Sequence, residues 1–365
     1  MTQLAEKMSK RRIEKDEIIR ASDPWEPVGH TPMPSLPDLR NWDMRLLKTY
    51  KPFYAPFCDL CCFCTFGKCD LTGSNRGACG IDIATQQARF FLLDTVMGLS
   101  AHGAHGQHVI DYLIEKYGAD YKINLGDQVL VEAPIIRTVL GLKPETLGDL
   151  KKAVEYAQHE LINLVSSLHT GMEGSSLDYE SKALHAGMLD HVVMEAADIA
   201  QIVGFKYPTS VAETPLVGLG WGAVDKNKAV VLCIGHNPVT ALPIVDYVNA
   251  NNLQDQVEVV GICCTAQELG RYSKAAKIIG PLSRELFFLR CGIADCVVTD
   301  EQCIRCDTPV EAAKQGAGMI ATSDKVCYGL ENLTEKTPDE IVSAMVNDGK
   351  QVLILDPDKA AEVAV

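Results

Sequence analysis

The chain has 365 residues, of which 47% are hydrophobic and 22% charged, and no apolar run reaches the about 18 residues needed to cross a bilayer. Its formal net charge of −14 argues against nucleic-acid binding, because phosphate contacts require patches of Lys and Arg. These numbers predict an acidic, cytoplasmic protein of two or three domains that binds neither nucleic acid nor membrane.

Residues 1–57 are polar and then proline-rich, and we expect an N-terminal arm there that opens with a short helix. The first twenty residues are rich in Lys, Glu and Arg and lack the apolar segment of a signal peptide. Disulfide-dense scaffolds are short and secreted, so we expect the 14 cysteines to be reduced thiols.

The most distinctive segment is 58–80, CDLCCFCTFGKCDLTGSNRGACG, which contains six cysteines. Four of them follow the spacing C-x2-C-x4-C-x9-C: Cys61, Cys64, Cys69 and Cys79. Glycines at 77 and 80 let the backbone approach an inorganic core and donate N–H groups to it. Short, uneven spacings favour an iron–sulfur cubane over zinc, since zinc sites usually show two separate C-x2-C pairs. Buried, inert thiols are the alternative, and it suits the cysteines in apolar runs: Cys233, Cys291 and Cys296.

Helical periodicity dominates the next part of the chain. Apolar residues recur at helical spacing over 85–117, and two further long helices are predicted over roughly 146–169 and 178–203. We therefore predict that 58–215 forms a helical domain with an iron–sulfur loop at its start.

From residue 216 the pattern changes to short β-rich runs: 229–235, 257–263, 294–300, 318–322 and 351–356. Helical patterns separate these runs, including SKAAKIIG followed by PLSRELFFLR over 273–290. This alternation predicts a Rossmann-like parallel sheet with helices on both faces over 216–365, and hence an α + α/β fold overall. No G-x-G-x-x-G follows the first strand, so dinucleotide binding is unsupported.

Metal-capable side chains follow four of the five predicted strands, at the edge where parallel sheets bind ligands. In chain order these are His236, the pair Cys263 and Cys264, Cys303 within DEQC, and Cys327 within DKVCYG. One such residue alone would usually be structural, but one imidazole with several thiolates suits a mixed iron–nickel–sulfur site. Neighbouring side chains of an extended strand point to opposite faces, so we expect only one of Cys263 and Cys264 to face the metal. Likewise, only one of Cys303 and Cys306 need be a ligand.

Three histidines at three-residue steps, His102, His105 and His108, lie in AHGAHGQH. On a helix they fall within an arc of about 120°. One interpretation is a polar face, solvated or between helices. The other is a proton path, because histidine titrates near neutral pH.

Together these motifs resemble nickel-dependent anaerobic carbon monoxide dehydrogenase, most closely the alpha subunit of the archaeal acetyl-CoA decarbonylase/synthase complex. The cysteine loop, AHGAHGQH, IGHNP, GICCTAQE, DEQC and DKVCYG occur in family order and span the chain. The resemblance implies interconversion of CO and water with CO2, protons and electrons, the electrons leaving through [4Fe–4S] clusters to a ferredoxin.

The resemblance also implies roles for individual residues. The relay [4Fe–4S] cluster would be held by Cys61, Cys64, Cys69 and Cys79. The nickel–iron–sulfur cluster would be held in part by His236, Cys264 and Cys303. Proton transfer would involve His102, His105, His108 and Lys325. A cluster shared across a homodimer would involve Cys58 and Cys62, although Leu60 stands where the bacterial pattern has a cysteine.

By the same resemblance, partners would include a small accessory subunit and acetyl-CoA synthase subunits. Members of this family are much longer and carry a second Rossmann-like domain with further cluster ligands. We therefore expect this polypeptide by itself not to oxidise CO. Three other hypotheses remain: an electron-transfer or assembly module with one [4Fe–4S] cluster, a nickel-free hybrid-cluster or hydroxylamine-reductase relative, and an α/β binding protein with ordinary cysteines.

Overall fold

The computed structural model describes residues 60–64, 68–127, 129–169, 175–207, 220–273 and 275–365. The predicted arm at 1–57 lies outside these residues, as does the predicted domain boundary at 215. Two compact units are present, one within Lys51–Ala212 and one within Glu213–Val365. None of the helices in the described ranges combines the length and the apolar character that a bilayer crossing requires.

The first unit is helical and opens with a small hairpin. Its elements are β1 (Leu60–Cys61), β2 (Cys69–Asp70), α1 (Ile83–Tyr117), α2 (Pro134–Leu140), α3 (Leu147–Ser166) and α4 (Ser176–Phe205). A short 3-10 turn, Ser167–His169, follows α3. The three long helices predicted from periodicity are confirmed.

Local chemistry sets the bounds of α1. The carboxylate of Asp82 caps its start by accepting the N–H of Thr85 at 2.9 Å. The helix ends at Gly118, whose φ of 87° favours glycine and whose N–H donates to the carbonyl of Ile114. Helix α1 packs along α4 and also contacts α3.

Gly106 lets α1 and α4 approach closely. A Cβ at this position would lie 3.4 Å from the carbonyl oxygen of Val193 on α4. Buried apolar side chains line both helices beside this contact, among them Val109 on α1 and Ala197 on α4. The glycine in the histidine row therefore serves helix packing.

The second unit is an α/β layer structure with a seven-stranded sheet whose strand pairs are all parallel. Its strands are β3 (Ala229–Gly235), β4 (Val257–Ile262), β5 (Lys277–Gly280), β6 (Cys296–Thr299), β7 (Gly318–Ala321), β8 (Glu331–Asn332) and β9 (Val352–Leu353). Its helices are α5 (Pro238–Ala250), α6 (Cys263–Tyr272), α7 (Glu285–Arg290), α8 (Thr308–Lys314), α9 (Pro338–Val346) and α10 (Pro357–Ala364). The strand order is β5-β4-β3-β6-β7-β9-β8, so the chain winds outward in both directions from β3.

Strand β3 is buried on both faces, as expected for a parallel sheet covered by helices. Leu232 points to one face and Cys233 to the other, and both are fully buried. Burial raises the pKa of the Cys233 thiol, which leaves it unreactive. Cys291 and Cys296 are also buried, in agreement with the structural role expected for these thiols.

The prediction of helix across 273–290 is wrong in its first half. Lys277–Gly280 is the edge strand β5, which pairs with β4, and a regular helix begins only at Glu285. Ile278 and Ile279 are β-branched, and pairing with the edge of β4 stabilises an extended conformation. Periodicity over so few residues did not distinguish the two states.

Candidate metal sites

The cysteine loop forms an antiparallel hairpin in which Cys61 lies opposite Cys69. Cys61 is buried, and Cys69 and Cys79 are half-buried. Cys64 is exposed. The hairpin thus brings two of the four predicted relay ligands into register and leaves one on the surface.

The sulfur of Cys69 has the surroundings of a cluster ligand. The backbone N–H of Ala78 donates to it at 3.4 Å. A Cβ at Gly77 would lie 3.6 Å from the same sulfur and 2.9 Å from Ile81, so a side chain there would crowd the loop. Space beside the thiol and N–H donors to sulfur are the features by which proteins accommodate and tune iron–sulfur clusters.

Arg89 on α1 contacts the hairpin, and this contact was not anticipated from the sequence. Its guanidinium is buried and donates to the carbonyl of Leu168, with Nε at 2.7 Å, and to Cys61 Sγ at 3.6 Å. It also lies 4.5 Å from the ring centroid of Phe63. Arg89 thus links the hairpin to the turn that follows α3.

The residues predicted for a shared cluster are only partly described. Cys58 lies outside the described residues. Cys62 is exposed, as is Leu60 beside it, at 40%. Their role in a dimer therefore stays a prediction.

Three of the predicted metal-ligand loops meet at the carboxyl edge of the sheet. His236 follows β3, Cys264 follows β4, and Cys303 follows β6. Because β4, β3 and β6 are adjacent and parallel, these loops are neighbours. The reversal of winding falls between β3 and β6, which is where open parallel sheets bind ligands.

The expectation that Cys263 and Cys264 point to opposite faces is wrong. Their sulfurs are 4.0 Å apart, and the Cys303 thiol hydrogen-bonds to Cys263. The premise of extended backbone fails because Cys263 begins α6 with a left-handed φ of 64°. Cys303 is also left-handed, at 59°. Each such residue costs roughly 1–2 kcal/mol, a strain that is common at functional sites.

The pKa values of these three thiols depend on one another. Hydrogen bonding from Cys264 lowers the pKa of Cys263 to about 6, and the same contact raises the pKa of Cys264. Burial and then the neighbouring Cys263 raise the pKa of Cys303 to about 11. Cys263 is thus the thiol of this group that ionises most readily, and the thiolate is the form that binds metals.

A buried acidic pair lies beneath the same loops. Asp300 and Glu301 are 1% and 7% exposed. Burial, and then the charge of Glu301, raise the pKa of Asp300 to about 7.

The remaining residues predicted at this edge are Lys325, Cys327 and Cys306. Lys325 is exposed in a 3-10 turn, Asp324–Val326, where its N–H donates to Ser323 Oγ at 3.2 Å. Cys327 is half-buried, and Cys306 is exposed.

The histidine row faces α4, which supplies polar partners that periodicity did not reveal. His102 Nδ1 lies 2.7 Å from the carboxylate of Asp190, and His105 Nε2 lies 3.2 Å from the amide oxygen of Gln201. His105 is buried, whereas His102 and His108 are half-buried. His102 and His105 therefore lie on an interhelical polar face with partners that orient their rings, and the proton path stays a prediction.

The donor types at both sites fit iron–sulfur chemistry, with thiols in the hairpin and thiols plus one imidazole at the sheet edge. Across the described residues, no three His, Cys, Asp or Glu side chains already stand in a geometry that binds a single metal ion. Both groups of residues therefore fit an iron–sulfur group by the chemistry of their side chains and not by a geometry that is already formed.

Sequence comparison identifies the family. The profile of the Prismane/CO dehydrogenase family matches residues 59–134 and 122–353, which is most of the chain. The chain belongs to the Prismane/CO dehydrogenase family.

Curated relatives within the family are archaeal. The chain is 52% identical over 357 residues to the acetyl-CoA decarbonylase/synthase complex subunit alpha of Methanothermobacter thermautotrophicus, covering 97% of this chain and 46% of that protein. It is 51% identical to the subunit of the same name from Methanocaldococcus jannaschii, covering 93% and 44%. The chain therefore spans a little less than half the length of these relatives.

Solved structures show the same fold. Carbon monoxide dehydrogenase IV from Carboxydothermus hydrogenoformans superposes with a TM-score of 0.66 at 17% identity, over 91% of this chain and 59% of that one. The alpha subunit of an acetyl-CoA synthase/carbon monoxide dehydrogenase gives the same score at 17% identity, over 98% and 55%. At this level of identity the likeness establishes the α + α/β architecture.

Proposed function

We propose that this chain is the part of a carbon monoxide dehydrogenase alpha subunit that holds the relay [4Fe–4S] cluster and three ligands of a nickel–iron–sulfur centre. The reaction is the interconversion of CO and water with CO2, two protons and two electrons. The observation that carries the proposal is the convergence of the loops bearing His236, Cys264 and Cys303 at the switch point of the sheet.

When bound, the nickel–iron–sulfur centre supplies the place where CO and water react and the acceptor for the two electrons. His236 would hold it through imidazole nitrogen, and Cys264 and Cys303 through thiolate sulfur. Hydrogen bonding with Cys264 and Cys303 lowers the pKa of Cys263, which favours a thiolate within the group before metal arrives. Cys303 is exposed, and Cys263 and Cys264 are half-buried, so all three thiols would be accessible to an incoming metal group.

Proton movement is assigned to the histidine row. The carboxylate of Asp190 accepts the Nδ1–H of His102, so proton exchange by that ring would use Nε2. Gln201 Oε1 contacts Nε2 of His105 and so orients that ring through its other nitrogen. His108 continues the row, and the exposed Lys325 is proposed as a further acid–base group.

Electrons would leave through the cluster of the cysteine hairpin to a ferredoxin. The N–H of Ala78 and the guanidinium of Arg89 supply positive charge beside Cys69 and Cys61. We propose further that Cys58 and Cys62 help bind a cluster shared by two copies. The cytoplasmic complex would also contain an accessory subunit and acetyl-CoA synthase subunits, by analogy with the names of the archaeal relatives.

The test is to purify the protein anaerobically, with any chain that accompanies it, and to measure iron, nickel, acid-labile sulfide and CO-dependent reduction of a viologen dye. Nickel near one and roughly eight or more irons per chain, with CO-dependent reduction, supports the proposal. Cys264→Ser and Cys303→Ser should then lose nickel and activity while the hairpin retains its iron. Cys233→Ser is the matched control, because Cys233 is a buried cysteine on the same sheet.

A second candidate is an electron-transfer or assembly module with one cluster. The N–H of Ala78 directed at Cys69 and the space at Gly77 favour it, because both features belong to the hairpin alone. About four irons per chain with no nickel would support this function. Absence of nickel together with a cluster at the sheet edge would instead favour the hybrid-cluster or hydroxylamine-reductase reaction.

A further inference from the structure

Beneath the sheet edge, one carboxylate joins the loops that follow three strands. We propose that Asp300 is a positioning residue that fixes the loops of His236, Cys264 and Cys303 relative to one another. The inference rests on the proposed function for the identity of the ligands and on the contacts of Asp300 for the mechanism.

The contacts of Asp300 reach all three loops. Its Oδ2 accepts the backbone N–H groups of His236 and Asn237, each at 2.5 Å. The same oxygen lies 3.4 Å from the hydroxyl of Thr265, which directly follows Cys264. Its Oδ1 accepts the N–H of Gln302 at 3.0 Å, one residue before Cys303.

The backbone around Asp300 is shaped to admit this carboxylate. Gly235 has a φ of 143°, and a Cβ at that position would overlap the Asp300 carboxyl group. Gly235 also forms a bridge with Cys263. The glycine therefore leaves the space that the carboxylate occupies, and the chain accepts a conformation that other residues avoid.

A purely structural role is the competing explanation, and Asp295 allows the two to be separated. Asp295 stands just before β6, and its Oδ2 accepts the N–H of Val230 at 2.9 Å. This bond, like those of Asp300, joins an aspartate next to β6 to a backbone N–H of the β3 segment, but it lies at the amino end of the sheet. Its loss should affect folding without affecting the ligand loops.

The experiment uses Co2+ as the probe, with the reduced, metal-free chain. Thiolate-to-cobalt charge-transfer absorption that is lost in a Cys264→Ser, Cys303→Ser double variant reports the sheet edge and excludes the hairpin thiols. Asp300→Asn should weaken Co2+ binding to that edge by about tenfold or more, as for other residues that orient metal ligands. Asp295→Asn should leave the affinity within about twofold, although both variants lower the urea midpoint.

Thr265→Val provides a variant that keeps the carboxylate, in case Asp300→Asn does not fold. It should weaken Co2+ binding severalfold and shift the charge-transfer band. Wild-type affinity in a folded Asp300→Asn variant would overturn the inference, as would equal losses in the Asp300 and Asp295 variants. If Asp300→Asn does not fold, wild-type affinity in Thr265→Val decides against it.

Failure of the inference and failure of the proposed function are distinguishable. Cobalt binding at the edge does not require nickel or CO chemistry. A chain that purifies without nickel but shows the predicted cobalt pattern refutes the dehydrogenase function and retains the role of Asp300. A wild-type chain that shows no sheet-edge cobalt band overturns the role of Asp300.

Discussion

The guanidinium of Arg89 donates to the sulfur of Cys61 across 3.6 Å, linking α1, the longest helix among the described residues, to the cysteine hairpin. Its other nitrogens donate to the carbonyl of Leu168, in the turn after α3. One buried cation thus connects the hairpin with two helices. The cysteine hairpin is therefore anchored to the helical core through a side chain.

Replacing Arg89 should destabilise the helical unit. Arg89→Met retains apolar contact with Phe63 but leaves the Leu168 carbonyl buried without its donor. We expect a loss of about 2–4 kcal/mol in the free energy of unfolding, measured by urea denaturation. Arg76→Met is the control, because the Arg76–Asp82 pair at 3.4 Å is exposed and should contribute less than about 1 kcal/mol. Equal losses in the two variants would contradict the anchoring role.

Gly235→Ala should be among the most damaging small substitutions in the α/β unit. The added methyl group would overlap the Asp300 carboxyl, and alanine does not tolerate the φ of 143°. We expect a loss of about 3 kcal/mol or more, visible as a lower urea midpoint. Gly222→Ala meets open space and should stay close to wild type. An unchanged urea midpoint for Gly235→Ala would mean that the backbone at the end of β3 moves to accommodate the methyl group.

The sheet edge illustrates what the sequence could predict. The loops that carry His236, Cys264 and Cys303 could be located from the sequence, because strands are recognisable as apolar runs and parallel strands end at the same edge of a sheet. The proximity of Cys263 and Cys264 was missed because it depends on a left-handed residue that no local pattern encodes. Asp300 is the first residue of the motif DEQC. Its hydrogen bonds reach His236, Asn237 and Thr265, which are far away in the chain, so only the folded sheet reveals them.

Asp190 should determine the tautomer of His102. In the wild-type chain the Nδ1–H of neutral His102 donates to the Asp190 carboxylate, so the Nδ1–H form should dominate. Asp190→Ala should shift the population towards Nε2–H, as measured from 15N chemical shifts of the ring. His191 is an internal reference, because its Nδ1 donates to the backbone carbonyl of Gly187 at 2.9 Å. An unchanged His102 spectrum would exclude Asp190 as its orienting group.

The pairing of Glu311 with Arg290 should protect the α/β unit against acid. Hydrogen bonding from Arg290 and then from Lys314 lowers the pKa of Glu311 in the folded state. The stabilisation is therefore present above the unfolded pKa of about 4.3 and is lost as pH falls through the lower folded value. Arg290→Met should move the midpoint of acid unfolding to higher pH, followed by circular dichroism.

The exposed pair of Lys336 and Glu340, at 3.7 Å, is the control for this pH effect. Lys336→Met should leave the acid midpoint almost unchanged, because water screens that pair. If both variants shift alike, net charge and not the Arg290–Glu311 contact governs the acid transition.

The two candidate sites differ in how far apart their ligands lie along the chain. The hairpin cysteines fall within one short segment, between Cys61 and Cys79, whereas the sheet-edge ligands belong to three strands separated by helices. Local contacts form early in folding, and those between distant strands form late. A nascent chain can therefore gather the hairpin thiols around iron before the sheet exists. A centre at the sheet edge would instead require a sheet that has already formed, so we expect its assembly to be a separate and later event in the life of the polypeptide.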